Sequence, residues 1–218
     1  MPEPVVQEGQ EAVLRAALTL LDEARRAGGR RLLGVAGAPG AGKSTLTELL
    51  ARELPEGSCT VVPMDGFHLA DVALDALGRR DRKGAPDTFD AGGYAALLQR
   101  IRAQMPGDDV VWAPMFERDL EQPLAGAIAV EAEVPLVITE GNYLLLDEGP
   151  FAGVRALLDA CWFVETPEDL RHERLIARHE RFGKPPAAAR DWALGPDEAN
   201  ARLVTATGHR ADARVRLG

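Results

Sequence analysis

An α/β fold with a parallel sheet and helices on both faces is predicted by three features of the sequence. Short apolar runs alternate with helical intervals of roughly ten residues or more, the spacing that parallel strands joined by crossovers require. One of these runs, Arg31 to Val35, opens directly into a glycine-rich turn and then an apolar-striped helix. Neither an internal repeat nor a Gly/Ser- or Pro-rich linker divides the 218 residues, so one domain spanning 1–218 is expected. At that size roughly 70% of the unfolded chain's surface is buried on folding, so no disulfide or metal is needed to hold a core.

The elements follow in order. Val13, Leu14, Ala17, Leu18, Leu20 and Leu21 recur at helical spacing near residues 7–28, and Gly28-Gly29 ends that helix. Arg31 to Val35 reads as a short buried strand, followed by a helix from Lys43 to Leu54 that stops before Pro55. Cys59 to Met64 is a second strand, ending in Asp65-Gly66, and residues 71–78 suit a short helix. Tyr94, Leu97, Leu98, Ile101 and Met105 stripe a helix near 92–104. Asp109 to Trp112 is strand-like, with Pro114 to Asp119 leaving it as a loop. Val134 to Thr139 has the composition of a central strand and ends at Glu140-Gly141. Ala160 to Val164 is another strand, and Pro167 opens a helix that runs to about Phe182 before Gly183. A final helix near 187–206 and an edge strand from Ala213 to Leu217 complete the expectation.

Composition narrows the partners. Asp and Glu number 34 against 25 Lys and Arg, a formal net charge of −9, which argues against binding a nucleic-acid backbone or an anionic membrane surface. The two cysteines, Cys59 and Cys161, lie in separate apolar strand-like runs and read as buried free thiols of a reducing compartment. Met1-Pro2-Glu3-Pro4 does not resemble a basic leader, and no apolar run approaches the roughly 18 residues of a membrane span. A soluble, cytoplasmic protein is therefore expected.

The strongest functional signal is Gly37-Ala38-Pro39-Gly40-Ala41-Gly42-Lys43-Ser44, which matches G-x-x-x-x-G-K-[ST] between a predicted strand and a predicted helix. This is the pattern of a nucleotide-binding P-loop, with a glycine-rich structural turn that happens to contain Lys-Ser as the alternative. Its glycines let backbone amides curl around a polyphosphate, and the free amides at the helix start face the same anion. Lys43 is placed to reach the β- and γ-phosphates, Ser44 to hold Mg²⁺, and Thr45 to donate near the α-phosphate. In an open α/β sheet ligands gather at the C-terminal strand ends, where Asp65, Glu140 and Glu165 fall. Asp65 and Glu140 suit a magnesium-bound water or the orientation of a substrate hydroxyl, since hard carboxylate oxygens suit Mg²⁺. A carboxylate that merely caps a turn is the alternative at each.

Three further segments accompany the P-loop: Met64-Asp65-Gly66-Phe67-His68, Arg82-Lys83-Gly84-Ala85-Pro86-Asp87-Thr88-Phe89-Asp90 and Glu140-Gly141-Asn142-Tyr143-Leu144-Leu145. With them the chain resembles the phosphoribulokinase, uridine kinase and pantothenate kinase superfamily. Within it the sequence is most similar to bacterial pantothenate-kinase-like proteins labelled nucleoside/nucleotide kinase or fructose-transport-system kinase. The resemblance runs from Leu32 to about Val204. It implies ATP- and Mg²⁺-dependent phosphorylation of a hydroxyl on a small metabolite. Asp65 would accept the hydrogen bond of the attacking hydroxyl, and Glu140 would serve the magnesium and phosphate region with Ser44. An acceptor-site insertion over about 66–92 and a lid over about 169–186 are implied too. The resemblance is compatible with a homodimer, for which no heptad or apolar stripe in the sequence argues.

The predicted lid helix carries Arg171, Arg174, Arg178 and Arg181. Arg174 and Arg178 lie four apart and share a face, and the resemblance implies that both neutralise the transferring phosphoryl group. A solvated helix paired through Glu173, Glu180 and His179 is the alternative. His68, Lys83, Asp90, Phe116, Arg118, Asn142 and Tyr143 are candidate acceptor contacts, most of them in loops where side chains can converge. Against this stand a solvated basic turn over Arg79–Lys83, a satellite-core role for Phe116 and a local hydrogen bond for His68. Asp197 and Asn200, at i,i+3 spacing beyond Trp192, either face one ligand or cap local backbone. The histidines and cysteines show no zinc pattern.

Lys83–Asp90 is more like pantothenate kinase than uridine kinase, but Pro114-Met115-Phe116-Glu117-Arg118 replaces a tyrosine- and histidine-bearing segment of the former. A sugar or nucleoside acceptor is therefore favoured. The other readings are pantothenate itself, a nucleoside monophosphate using Arg79, Arg80 and Arg82, or ATP binding in a regulatory protein without transfer.

Overall fold

The computed structural model describes residues 4–217, so Met1 to Glu3 of the leader reading lie outside the described residues. Chain order begins with strand β1 (Val5–Glu8), helix α1 (Gly9–Ala27), β2 (Arg31–Ala36), α2 (Lys43–Glu53), β3 (Cys59–Pro63), α3 (Asp71–Leu77) and α4 (Ala91–Ala103). It continues through β4 (Val111–Glu117), β5 (Gln122–Val130), β6 (Leu136–Gly141), β7 (Ala160–Val164), α5 (Glu168–Arg181), α6 (Pro186–Leu194), α7 (Pro196–Thr205) and β8 (Ala213–Arg216). Six strands form one sheet in the order β1-β8-β7-β2-β6-β3, with every neighbouring pair parallel.

The sequence explains which strands are central. All residues of β6 and β7 are buried, and in β2 only Arg31 is not, so these strands need cover on both faces. Alternation then divides the core in two. Leu33 and Val35 of β2, Leu136 and Ile138 of β6, and Trp162 and Val164 of β7 pack with Val13, Ala17 and Leu21 of α1 and Leu46 and Leu50 of α2. Leu32, Val137 and Phe163 face the other way, toward Tyr94, Leu98 and Ile101 of α4 and the Tyr143–Leu146 segment. The register brings Val35, Pro63 and Glu140 alongside one another, so the P-loop, the Asp65 turn and Glu140 all leave the sheet at one edge.

Four expectations are corrected. Pro114–Glu117 of the expected loop is instead the second half of β4, paired antiparallel with the unforeseen β5 and bulged between Ala113 and Met115, while Arg118 and Asp119 do lie in a turn. Gln122–Val130 hides its strand character because Pro123, Gly126 and three alanines lower its β-propensity. The final helix is two helices, because Gly195, followed by Pro196, separates α6 from α7. The last strand is not an edge: β1, too short to read from sequence, pairs outside β8. Cys59 is only partly buried, while Cys161 is buried, and both are free thiols.

Candidate active site

The P-loop curls because its glycines take backbone conformations closed to other residues. Gly40 has φ +79°, and a Cβ there would lie 2.7 Å from Leu175 Cγ and 2.9 Å from the Arg171 carbonyl. That position thus permits both the turn and the close approach of α5. Thr166 Oγ1 ties the far side of the loop by donating to the Ala41 carbonyl at 2.8 Å. Gly42 precedes α2 without any side-chain cap, which leaves the first-turn amides as donors for an anion. The loop separates two cavities. A cavity of about 1250 Å³ is lined by Ala41, Gly42, Thr45, Arg52, Thr166 and Arg174, among others. A cleft of about 440 Å³ on the other side is lined by Pro39, Lys43, Ser44, Asp65, Glu140 and Arg178, among others.

Long-range contacts assemble that cleft. Lys43 Nζ donates to Asn142 Oδ1 at 2.6 Å and to the Ala38 carbonyl at 3.2 Å. Burial lowers the pKa of its ammonium, against the pull of Glu140 and Asp65. Ser44 Oγ donates to Glu140 Oε1 at 3.0 Å, and burial raises the Glu140 carboxyl, with Lys43 opposing it. A hydroxyl and a carboxylate side by side at the end of a phosphate loop form a hard-oxygen donor set, which fits Mg²⁺. Thr139, just behind, donates to the Val62 carbonyl at 2.6 Å and meets Tyr94 Oη at 2.6 Å, which locks β6 to β3 and α4.

Asp65 sits in a 3-10 turn (Met64–Phe67) after β3. Gly66 lets the β4–β5 hairpin cross that turn, since a Cβ there would lie 2.4 Å from the Pro114 carbonyl. The hairpin brings Phe116 and Arg118 into the cleft, and Arg118 NH2 lies 3.4 Å from Asp65 Oδ2. Burial pushes the Asp65 carboxyl up, but His68, Arg118, Lys43 and Arg178 outweigh it and hold the group below the usual carboxylate range. His68 Nδ1 lies 2.8 Å from the Asp65 carbonyl. A carbonyl only accepts, so Nδ1 carries the proton and Nε2 is left as an acceptor. Burial lowers the His68 pKa, and its ring packs on Phe89 and Phe116 at centroid distances of 4.0 and 4.8 Å.

The helix α5 divides its arginines. Arg178 lines the cleft, its guanidinium without a hydrogen bond or ion pair to another described residue, and burial lowers its pKa. Arg174 lines the larger cavity instead, with NH1 3.5 Å from the Cβ position of Gly42. The two were expected to act together on one phosphoryl group. They instead flank the P-loop, because α5 crosses over Gly40 between them. Helix α5 is anchored to α7 by Arg171, which donates to Glu198, and by His179, 2.7 Å from Asp197. Hydrogen bonds from His172 and Arg171 overcome the upward push of burial and hold Glu198 at about 2.

Not every expected acceptor residue reaches the cleft. Asp90 is the N-cap of α4, its exposed carboxylate accepting from the Gly93 amide at 2.8 Å, which leaves it away from the cleft lining. Tyr143 is fully buried, and its hydroxyl donates to the Gly84 carbonyl, so it braces the cleft wall from behind. Lys83 lines the cleft but is committed to Asp71 at 2.8 Å and to the Glu121 carbonyl at 2.6 Å. Arg79 and Arg82 are paired with Asp87, and Arg80 with Asp71 and Asp75, so each arginine of this cluster has a partner within the protein. Asp197 and Asn200 do share the cleft. Phe182, Lys184 and Asp71 were missed as lining residues, and only their nearness to the lid and insertion segments pointed that way.

Residues 32–182 match the Phosphoribulokinase / Uridine kinase family. The chain belongs to that family. It is a P-loop kinase of the uridine and pantothenate kinase type, and so a phosphotransferase. The kinase is 36% identical over 192 residues to the uncharacterized protein YggC of Escherichia coli K12, covering 86% of this chain and 78% of YggC. It is 31% identical to a pantothenate kinase of Chelativorans sp. BNC1, over 69% of this chain but only 50% of that enzyme's length. Among solved structures, a "putative fructose transport system kinase" from Silicibacter sp. TM1040 superposes with a TM-score of 0.79 at 37% identity, covering 94% of this chain and 98% of that one. YFH7 of Saccharomyces cerevisiae shares the fold, with a TM-score of 0.77 at 18% identity, over 95% and 98% of the two chains. No helix among the described residues is long and apolar enough to cross a membrane.

Proposed function

We propose that this kinase transfers the γ-phosphoryl group of ATP to a hydroxyl of a small metabolite, a sugar or a nucleoside. One observation carries the reading: Asp65, the P-loop Lys43 and the uncommitted Arg178 line a single cleft. The α2 amides and Lys43 hold the polyphosphate, and the larger cavity beyond the loop takes the nucleoside end. Ser44 and Glu140 would hold Mg²⁺, which supplies charge neutralisation on the phosphate oxygens.

Asp65 accepts the hydrogen bond of the acceptor hydroxyl and aims its oxygen at the γ-phosphorus. As the new P–O bond forms, the bond to the β-phosphate oxygen breaks and its electron pair leaves with ADP. The hydroxyl proton passes to Asp65. A carboxylate held below the usual range is a weak base toward an alcohol, so the proton moves late, once the attacking oxygen has become acidic. Arg178 meets the charge spread over the transferring oxygens. The internal pairing of Arg79, Arg80 and Arg82 leaves no free arginine cluster for a nucleoside monophosphate.

The test is incubation with ATP, Mg²⁺ and a panel of sugars, nucleosides and their derivatives, reading ADP release and product mass. Acceptor-dependent formation of a phosphomonoester is expected. ADP release that no acceptor stimulates would overturn the kinase mechanism in favour of ATP binding without transfer.

A further inference from the structure

Ion pairing sorts the cations of the smaller cleft. Lys43 and Arg178 serve ATP under the reading above. Lys83 and Arg80 are already bound to Asp71, at 2.8 and 3.0 Å. Two cations remain. Lys184 is half-buried and lines the cleft, its ammonium without an ion pair or hydrogen bond to another described residue; its Nζ lies 4.8 Å from the centroid of the Trp192 ring. An aromatic face attracts an ammonium without using up its three N–H donors. Arg118 lies over the Phe116 ring at 5.8 Å and has one ion pair among the described residues, 3.4 Å from Asp65, longer than a charge-assisted hydrogen bond of about 2.8 Å.

The carboxylates around the cleft do not answer these charges. Asp65 and Glu140 belong to the transfer, Asp71 and Asp197 are paired with Lys83 and His179, and Glu121 is an exposed residue of the hairpin turn. Arg118 also lies on the carboxylate that the acceptor hydroxyl must reach. An acceptor bearing only hydroxyls would leave Lys184 unanswered and would reach an Asp65 carboxylate that already faces the Arg118 charge.

We infer that the acceptor carries, besides its hydroxyl, an anionic group, a carboxylate or a phosphate monoester, which Lys184 binds and which draws Arg118 away from Asp65. A cleft of about 440 Å³ suits a small sugar acid or sugar phosphate touching both walls. The inference rests on the kinase reading and deepens it, replacing a neutral sugar or nucleoside with an anionic relative. Binding of the anion then also frees the group that receives the hydroxyl.

Binding is measured by calorimetry with the P-loop saturated by Mg²⁺ and a non-hydrolysable ATP analogue, so that turnover is not needed. The ligands are neutral polyols of about three to six carbons, the matching sugar acids and the matching monophosphates; the last two arms separate carboxylate from phosphate. At least one anionic ligand is expected to bind about tenfold or more tightly than its neutral counterpart. Lys184→Gln should abolish that preference while Lys184→Arg keeps it, with melting temperatures showing that both variants fold. Equal binding of neutral and anionic forms, a preference that survives in Lys184→Gln, or no binding of any anionic ligand would each overturn the inference. Failure of the kinase reading shows separately, as ADP release that no acceptor stimulates.

Discussion

Replacing Asp65 by Asn separates proton acceptance from every other role of that position. Asparagine keeps the size and one carbonyl oxygen, so it can still accept the acceptor's hydrogen bond, but it cannot take the proton. Little stability is at stake, because among the described residues the one ion pair of Asp65 is the 3.4 Å contact with Arg118, whose side chain is 39% exposed. A screened pair of that length is worth about 1 kcal/mol or less. ATP affinity should hold or rise slightly, since a negative charge near Lys43 and Arg178 is removed. Catalysis should fall about 10²- to 10⁴-fold in kcat, equivalent to about 2.7–5.5 kcal/mol of activation free energy. Steady-state kinetics with the acceptor, alongside titration of an ATP analogue, reads both numbers. A kcat within about threefold of wild type, with binding intact, would refute the role of Asp65.

The arginines of α5 should separate in the same assay. Arg178→Ala is expected to lower kcat about 10²-fold or more, as loss of a transition-state donor does, while Arg174→Ala acts mainly on the KM for ATP. Asp90→Ala should remove a helix cap worth about 1 kcal/mol and lower the melting temperature by about 2–4 °C, with kcat and KM unchanged. Because the Asp65 carboxyl lies below its usual range, its active ionised form persists as pH falls and is lost only on passing through that lowered value. The acid limb of kcat/KM should therefore lie below about pH 4, and Arg118→Met should move it upward. An acid limb near neutrality would contradict this assignment.

How far the sequence reaches depends on the separation of the partners. The P-loop is legible because its geometry is local: Gly40 and Gly42 adopt positive φ for their immediate neighbours, and strand and helix flank them directly. The central strands are legible because full burial on both faces demands unbroken apolar runs, as in Ala160–Val164. The hairpin was not, since Pro123, Gly126 and three alanines dilute the strand signal of Ile128 and Val130, and Gln122–Val130 gains its order from pairing with β4. Asp90 and Tyr143 were read as acceptor contacts because they stand in the right segments. Their side chains nevertheless close a helix end and brace a loop.

By itself, then, the sequence determined a parallel α/β domain with a phosphate loop, and it marked Asp65 and Glu140 at the functional edge of the sheet. Tertiary structure alone decided which side chains meet there. Lys43 finds Asn142 across 99 residues, Ser44 finds Glu140 across 96, and Arg118 finds Asp65 across 53. It also parted Arg174 from Arg178 and brought Lys184 and Trp192 to the cleft wall. The backbone conformation of the phosphate loop is settled by neighbours in the chain. The pairing of charges is settled only when burial excludes water and each group must find, or lack, a partner in space.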